Sequence, residues 1–552
     1  MKLPKKGMDS DTILATLDAF KMEDLDWRRG RVWAYVYPID AEVEKVSKQA
    51  YTNFLTENAL DPTAFPSCLI LENQIVAIGA AHLGGDENTT GNFTTGGTES
   101  ILMAVKSARD RARDLQPEIT KPEMILPVTA HAAFHKAAAY FDVTLKLVDV
   151  DPETFRAGPG AVREAITDNT ILIVASAPSY AHGVVDDVEG IAAVAKEHNI
   201  LCHVDGCMGG WLLPYFKRLG ADIPAFDFSV EGVTSISMDL HKYAFCPKGA
   251  SLILYRSKEV REYQMFSCSN WTGYTIINPT FQSTKTGGPL AGAWATLHSI
   301  GDERYLDYAR TIWDSTQEVI EGCRSIPGIE VMGQPDFCLV AIQSNEFNIF
   351  NLADEMKKRG WYIQPQLGYK DYAPNVHFSI NLGVAPHTQA MLADLREAVL
   401  DAQKIPDAGL AAQAHSILNS MNTEKLSDEA FEKLLDLAGI RGADLPETMA
   451  GINEILDSLP VETNEMLLKR FFGDLNHLSP EQRDMLESVR EAVGASDAST
   501  HSNGANGDAR PILGLGLRKR AKEVAAQTLR TAARVAVGVA ALGHKTAKRL
   551  EN

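Results

Sequence analysis

The sequence has little that would place it outside a reducing compartment. Its seven cysteines are odd in number and none forms a Cys-x-x-Cys pair, which fits reduced thiols rather than a disulfide framework. Basic charge is short as well: 53 Lys and Arg stand against 72 Asp and Glu, a formal net charge of −19, which argues against a general nucleic-acid binder. No apolar run is long enough to span a bilayer, and the first residues, MKLPKKGMDSDTILATLDAF, lack the continuous apolar core of a signal peptide. A cytoplasmic location is therefore expected. Without a secretory signal, the formal glycosylation acceptor Asn92-Phe93-Thr94 is incidental. What remains is ordinary globular composition, 45% hydrophobic and 23% charged, in 552 residues, enough for several cores.

Two stretches carry chemistry. Ile200 to Gly249 holds an apolar run ending in Asp205 and, later, a serine-rich strand leading to His241 and Lys242. Alone, Asp205 reads as a strand-end carboxylate and Lys242 as a surface lysine. Together they match the two halves of a pyridine-aldehyde cofactor site: a carboxylate keeps a proton on the ring nitrogen, and a desolvated amine attacks the carbonyl. The second stretch, GNFTTGGTESILMAVKSARDRAR from Gly91 to Arg113, is a glycine-threonine turn opening onto a helix with Ile101, Leu102, Val105 and Ala108 on one face. Free amides at a helix N-terminus bind anions, so Gly96, Gly97 and Thr98 are candidates to cradle a phosphate ester.

The ordered motifs GGTESILMA, PVTAHAAFHKAA, SAPSYAHGVVDDVEGIA, HVDGCMGGW and SISMDLHKYAFCPKGASLILYRS resemble the group II pyridoxal-phosphate-dependent decarboxylase superfamily, and within it the sphingosine-1-phosphate lyase family, from about Asp26 to about Asp401. The resemblance implies pyridoxal 5'-phosphate bound through Lys242, with Asp205 at the ring nitrogen. It also implies His131 stacked on one ring face, Ala177 on the other, and His241 at the phosphate. It implies Tyr37 and Lys248 as substrate contacts, and a homodimer with shared active sites in which Gly97, Thr98 and Tyr37 serve the opposite subunit. Aromatic packing is an equal reading for Tyr35 and Tyr37, a capping or core role an alternative for His131, and a solvated loop position one for Lys248.

In fold, the resemblance implies an α/β, aminotransferase-like (fold type I) architecture. Apolar runs at Met124–Val128, Val143–Val148, Ile171–Ala175, Ile200–Val204, Val233–Ser237 and Ser251–Tyr255 alternate with helical segments, which argues for a mostly parallel sheet covered on both faces. Ligands in such sheets bind beyond the strands' carboxyl ends. The expected division is an N-terminal helical segment (1–60), a cofactor-binding large domain (61–299), a smaller C-terminal α/β domain (300–404), a helical appendage (405–494), a flexible linker (495–510) and a basic amphipathic tail (511–552). From Gly514 onward the tail has nine Lys or Arg against two Glu, a pattern compatible with peripheral membrane contact and equally with a solvated or protein-docked tail.

The implied activity is retro-aldol cleavage of a phosphorylated long-chain base to a long-chain aldehyde and phosphoethanolamine. Four positions depart from the lyase pattern: Asn270, Ile276, Lys285 in place of an arginine, and Asp61 where the family has a histidine thought to meet substrate phosphate. A carboxylate there opposes a phosphate by about 4 kcal/mol at 4 Å and intermediate dielectric. Asp61 thus favours the alternative of an amino-acid decarboxylase, whereas Lys248 favours the lyase. A cofactor-binding scaffold acting through its C-terminal extension is the third reading, against which an intact Asp205, His131 and Lys242 count.

Overall fold

The computed structural model describes residues 3, 5–21, 24–406, 409–419, 433, 434, 436, 437 and 448–475. These form two compact units, one spanning Trp27–Ile405 and the other made of what precedes and follows it. The linker expected at 495–510, the tail at 511–552 and much of the 405–494 appendage lie outside the described residues. The smaller unit contains helices Ser10–Phe20, Leu410–Asn419, Ala450–Ser458 and Val461–Leu475, with a core of Ala414, Leu434, Ile455, Leu459 and Leu467. Among the described residues no helix is long and apolar enough to cross a membrane.

In the larger unit, seven strands form one sheet: β1 (Thr90–Thr94), β2 (Glu123–Pro127), β3 (Thr144–Val148), β4 (Thr170–Ser176), β5 (Leu201–Asp205), β6 (Val233–Met238) and β7 (Ser251–Tyr255). Their order is β1-β7-β6-β5-β4-β2-β3; β7 runs antiparallel to both neighbours and the remaining pairs are parallel. Every residue of β4 and of β5 is buried, as expected of strands with both faces covered. The six apolar runs all became strands. β1 escaped the sequence reading because TGNFT carries a single large apolar side chain, Phe93, and is held largely by polar contacts instead.

Those contacts explain how the glycine-threonine turn is positioned. Glu72, on the Pro66–His82 helix, accepts hydrogen bonds from Asn92 Nδ2 and Phe93 N–H, both at 2.9 Å, and pairs with Lys285 Nζ at 2.7 Å. Glu72 and Lys285 are 7% and 6% exposed, so this is a buried ion pair that pins β1, and with it the turn that follows. Asn92, the formal glycosylation acceptor, is buried in the same cluster.

After a two-stranded hairpin, β8 (Phe266–Cys268) and β9 (Ile276–Asn278), the helix Gly287–Arg324 kinks at Gly301, whose φ of 70° is non-helical. The chain then builds a four-stranded antiparallel sheet, β10 (Glu330–Val331), β11 (Leu339–Gln343), β12 (Gln364–Gln366) and β13 (Asn375–Ser379), in the order β10-β11-β13-β12. The helix Ile349–Lys358 starts at an Asn348 cap and is followed by Gly360 at φ 81°. The segment around Trp33 is laced onto this sheet: Trp33 N–H donates to Tyr362 O at 2.9 Å, and Ser379 N–H donates to Trp33 O at 2.8 Å. It thereby carries Tyr35 and Tyr37 toward the large sheet.

Lys285→Met strips the buried Glu72 of its counter-ion, and chemical denaturation is expected to show a loss of about 3–5 kcal/mol. Burial works against the Glu72 carboxylate, but the Lys285 charge and its hydrogen bonds outweigh it and hold the pKa below its ordinary value. The pair's contribution is therefore present above the unfolded carboxyl pKa of about 4.3 and lost as pH falls through the lower folded value, so the mutant and parent stabilities converge in acid.

Candidate functional site

The site lies where parallel register brings three strand ends level: Ser176 of β4, Asp205 of β5 and Ser237 of β6 are direct partners. Asp205 Oδ1 accepts the Cys207 N–H at 3.0 Å and the Ser237 hydroxyl at 3.2 Å, leaving Oδ2 to meet a ligand N–H. Behind Ser237 stands His203, on the same face of β5 two residues before Asp205, with Nε2 3.2 Å from Ser237 Oγ and Nδ1 2.8 Å from Ser235 Oγ. Burial pushes the His203 pKa down to about 4, so the ring is neutral and has one N–H. Because Ser237 gives its proton to Asp205, His203 donates from Nε2 and accepts from Ser235 at Nδ1, a one-way relay ending on the carboxylate. His203, Ser235 and Ser237 were not anticipated from the sequence. The signal was there in period-two spacing, His-x-Asp on one strand and Ser-x-Ser on the next.

Lys242 follows β6 on the turn Asp239-Leu240-His241. Its Nζ is 2.9 Å from Asp239 Oδ2, and His241 Nε2 is 3.7 Å from the same oxygen. Burial disfavours the Lys242 ammonium, but the Asp239 carboxylate outweighs it and raises the lysine pKa. The helix Gly97–Leu115 begins against this turn. A Cβ on Gly97 would come within 2.6 Å of Cys207 Sγ and 2.8 Å of Asp239 Oδ2, so glycine is required by close approach. Glu99 steadies the turn by accepting from Thr95 N–H at 2.6 Å and Thr95 Oγ1 at 2.7 Å, and its other oxygen accepts from Phe281 N–H at 2.9 Å.

Gly96, Gly97, Thr98, His131, Asp205, His241 and Lys242 line one cavity of about 340 Å³. His131 Nδ1 accepts the Ala133 N–H at 3.1 Å, which puts the ring proton on Nε2, and burial lowers its pKa against the pull of Asp205. Ala177 is buried between two lining residues, Ser176 and Pro178, with its N–H on Asp205 O at 2.9 Å. Tyr37 packs edge-on against Tyr243, ring centroids 4.9 Å apart, under Lys248 Nζ, which lies 4.7 Å from the Tyr37 centroid. Burial pushes the Tyr37 hydroxyl up to about 12, and the nearby Lys242 charge pulls the other way. Burial and Lys242 hold Lys248 down to about 8.

The structure places three further groups of expected site residues as follows. Within one chain, Gly97 and Thr98, expected to serve the opposite subunit, line the Lys242 cavity, and Tyr37 comes within electrostatic reach of Lys242. The reason is that the turn after β1 is pinned beside β6 and β7, and the Trp33 segment is laced to β13. Lys285 does not line the cavity, because its charge is engaged by Glu72. Asp61 does not line it either. Its Oδ1 accepts the N–H and hydroxyl of Thr63 at 2.8 and 2.6 Å, hydrogen bonds that hold the exposed carboxyl below its usual range and shape the turn before the Pro66 helix. Asn270 and Ile276 belong to the hairpin around the exposed Trp271 and Tyr274.

The donor set fits pyridoxal phosphate: an amine for the aldehyde, a carboxylate oxygen for the ring N–H, a glycine cradle at a helix N-terminus for the phosphate, and Ser176 Oγ, buried without a protein partner among the described residues.

Comparison with known proteins agrees. The model of the pyridoxal-dependent decarboxylase conserved domain matches residues 32–342, and a second model, for a C-terminal domain of pyridoxal-dependent enzymes, matches 386–474, beyond the point near Asp401 where the resemblance was expected to end. Sphingosine-1-phosphate lyase of Arabidopsis thaliana is 39% identical over 79% of this chain and 80% of its own length. The solved sphingosine-1-phosphate lyase of Burkholderia pseudomallei superposes with a TM-score of 0.70 at 34% identity, covering 77% of this chain and 98% of that one. Glutamate decarboxylase of Lactobacillus brevis, with a TM-score of 0.65 at 18% identity over 74% of this chain and 96% of that one, shares the fold.

Gly97→Ala is expected to weaken pyridoxal phosphate binding by at least about tenfold, ~1.4 kcal/mol, in a spectroscopic titration, with the far-ultraviolet circular dichroism unchanged.

Proposed function

The chain belongs to the pyridoxal-dependent decarboxylase family, and on that premise we propose that it is a carbon-carbon lyase that splits a phosphorylated long-chain base into a long-chain aldehyde and phosphoethanolamine. The observation that carries this reading is Lys248. Its ammonium stands beside the cavity, over Tyr37, and its hydrogen-bond acceptors are two backbone carbonyls, Tyr35 O at 3.4 Å and His241 O at 3.5 Å. These long contacts leave a cation available to a substrate phosphate next to the reacting amine. Asp61, the residue that spoke for decarboxylation of an unphosphorylated amino acid, is occupied in its own turn. The lyase relatives point the same way.

Pyridoxal phosphate, when bound, supplies a sink for the electron pair left on the amine-bearing carbon as the bond to the hydroxyl-bearing carbon breaks. The chain's own residues keep that sink ready. Asp205 Oδ2 holds a proton at the ring nitrogen, and the His203–Ser237 relay keeps the carboxylate aimed there. His131, neutral, offers a flat uncharged face. Gly96, Gly97, Thr98 and His241 bind the cofactor phosphate, Lys242 Nζ is the group that moves protons at the amine-bearing carbon, and Lys248 with Tyr37 orients the substrate's phosphate.

The assembly we propose is a homodimer. Phe266, Trp271, Tyr274, Ile277 and Phe281, on and after the β8–β9 hairpin, are each about half exposed or more, and exposed apolar side chains gathered in one segment are what a subunit interface covers. Sedimentation is expected to give a dimer, and Trp271→Asp with Ile277→Asp to shift it to monomer.

The direct test is to incubate the cofactor-loaded protein with a phosphorylated sphingoid base and measure long-chain aldehyde and phosphoethanolamine, with Lys242→Ala as the blank. Lys242-dependent product is expected. No product with a normal cofactor spectrum would move the assignment to decarboxylation. A second readout concerns pH. Lys248 is cationic below about 8 and loses its charge above it, so KM for the phosphorylated substrate is expected to rise above that pH. Lys248→Met should raise KM about tenfold at neutral pH and abolish that rise.

A further inference from the structure

Asp239 has no role in the reading above, yet its carboxylate touches the cofactor lysine. It is 3% exposed, and Oδ2 lies 2.9 Å from Lys242 Nζ. On its other side the N-terminus of the Gly97 helix closes in, so that a Cβ on Gly97 would fall 2.8 and 2.9 Å from the two carboxylate oxygens. Hemmed in this way, and next to a helix end that favours anions, the carboxylate has a fixed place. Burial alone would raise its pKa; the Lys242 charge, helped by a hydrogen bond from Ser251, outweighs that and holds it below its ordinary value.

The other titratable groups acting on Lys242 come from all around it: Tyr37 from the N-terminal segment, His131 after β2, Tyr180 after β4, Cys207 after β5, and His241 and Lys248 on its own loop. Burial drives the two phenols and the thiol toward their protonated forms and the two imidazoles toward neutrality, and Lys248 is a cation. Two other carboxylates line the cavity, Asp205, held by the Cys207 amide and Ser237, and Glu99, held by Thr95 and Phe281; Asp239 is the one in contact with the Lys242 amine.

We propose that Asp239 is the positioning residue of Lys242, holding its amine as an ammonium at a fixed place whenever that amine is free. Two consequences follow for the lysine, both resting on Lys242 being the cofactor-binding residue proposed above. Before the cofactor is bound, Lys242 can attack its aldehyde carbon only through a free lone pair, forming a C=N bond with loss of water. The ammonium has no lone pair, so Asp239 slows capture. After a substrate amine has displaced Lys242, the same ammonium is the acid for the amine-bearing carbon. An Nζ–H bond breaks, the carbon's electron pair takes the proton, and Lys242 is left as the neutral amine that can attack again.

The test is covalent capture of pyridoxal phosphate by the full-length protein freed of cofactor, followed by absorbance and by borohydride trapping at Lys242, between about pH 6 and 10. Asp239→Asn removes the charge at nearly constant shape. It is expected to capture at least about tenfold faster at neutral pH, with the pH midpoint moved down by about one unit or more, while Asp239→Glu stays near the parent. Superimposable profiles for Asp239→Asn and the parent would overturn the proposal and leave the lyase reading standing. Trapping that persists in Lys242→Ala would overturn both. Should Asp239→Asn fail to fold, the unmutated protein decides: its capture rate is expected to keep rising with pH beyond about 9, and a plateau below about 8 would overturn the proposal.

Discussion

The Asp205 carboxylate sits 7% exposed at the end of a strand buried along its whole length, and an anion there is tolerated only while donors are fixed on it. Those donors are the Cys207 amide and the Ser237 hydroxyl, and the hydroxyl is itself oriented by His203. None of this is local in sequence. It depends on the parallel register of β4, β5 and β6, which sets Ser176, Asp205 and Ser237 level with one another. A slip of one residue in that register would turn the serine and the histidine to opposite faces and leave the carboxylate unsupported.

Around that centre the chain repeatedly uses buried charge to fix polar elements that apolar packing cannot specify. Glu72 and Lys285 hold β1, an edge strand with a single large apolar side chain, and so decide where the glycine turn meets the cavity. Arg156 does similar work between the sheets. It pairs with Asp336 at 2.7 Å, and Asp336 in turn accepts the Val185 N–H at 2.7 Å. Such pairs contribute little net stability compared with apolar replacements, but breaking one leaves an uncompensated charge. They therefore specify geometry more than they stabilise it.

Two of the carboxylates lining the cavity have contrasting surroundings. Asp205 is met by neutral donors and keeps an oxygen for a ligand N–H, whereas Asp239 is met by the lysine itself and by the end of a helix. Neighbours thus give two like groups in one cavity different surroundings, one keeping an oxygen free of protein donors and one engaged by an amine.

Much was legible without the structure. Apolar runs of four to six residues between helical periods place six strands of the large sheet, since a strand covered on both faces has nowhere to put polar side chains. The linked motifs located Asp205, His131, Lys242 and the glycine turn, because each needs a particular residue type at the end of a strand or the start of a helix. Other features were not legible. β1 lacks an apolar pattern, and its partners Glu72 and Lys285 are far away in sequence. The occupation of Asp61 by Thr63 and of Lys285 by Glu72 depends on side-chain directions that no motif states. Asp239 was visible in SISMDLHKYAFCPKG but had no evident role until the Gly97 helix was seen to close on it. By itself the sequence determined which chemistry the chain can perform, through residue types and local periodicity. Which charges are free to perform it was decided by tertiary packing, because an ionised group is available or spent according to the partners that distant segments bring to it.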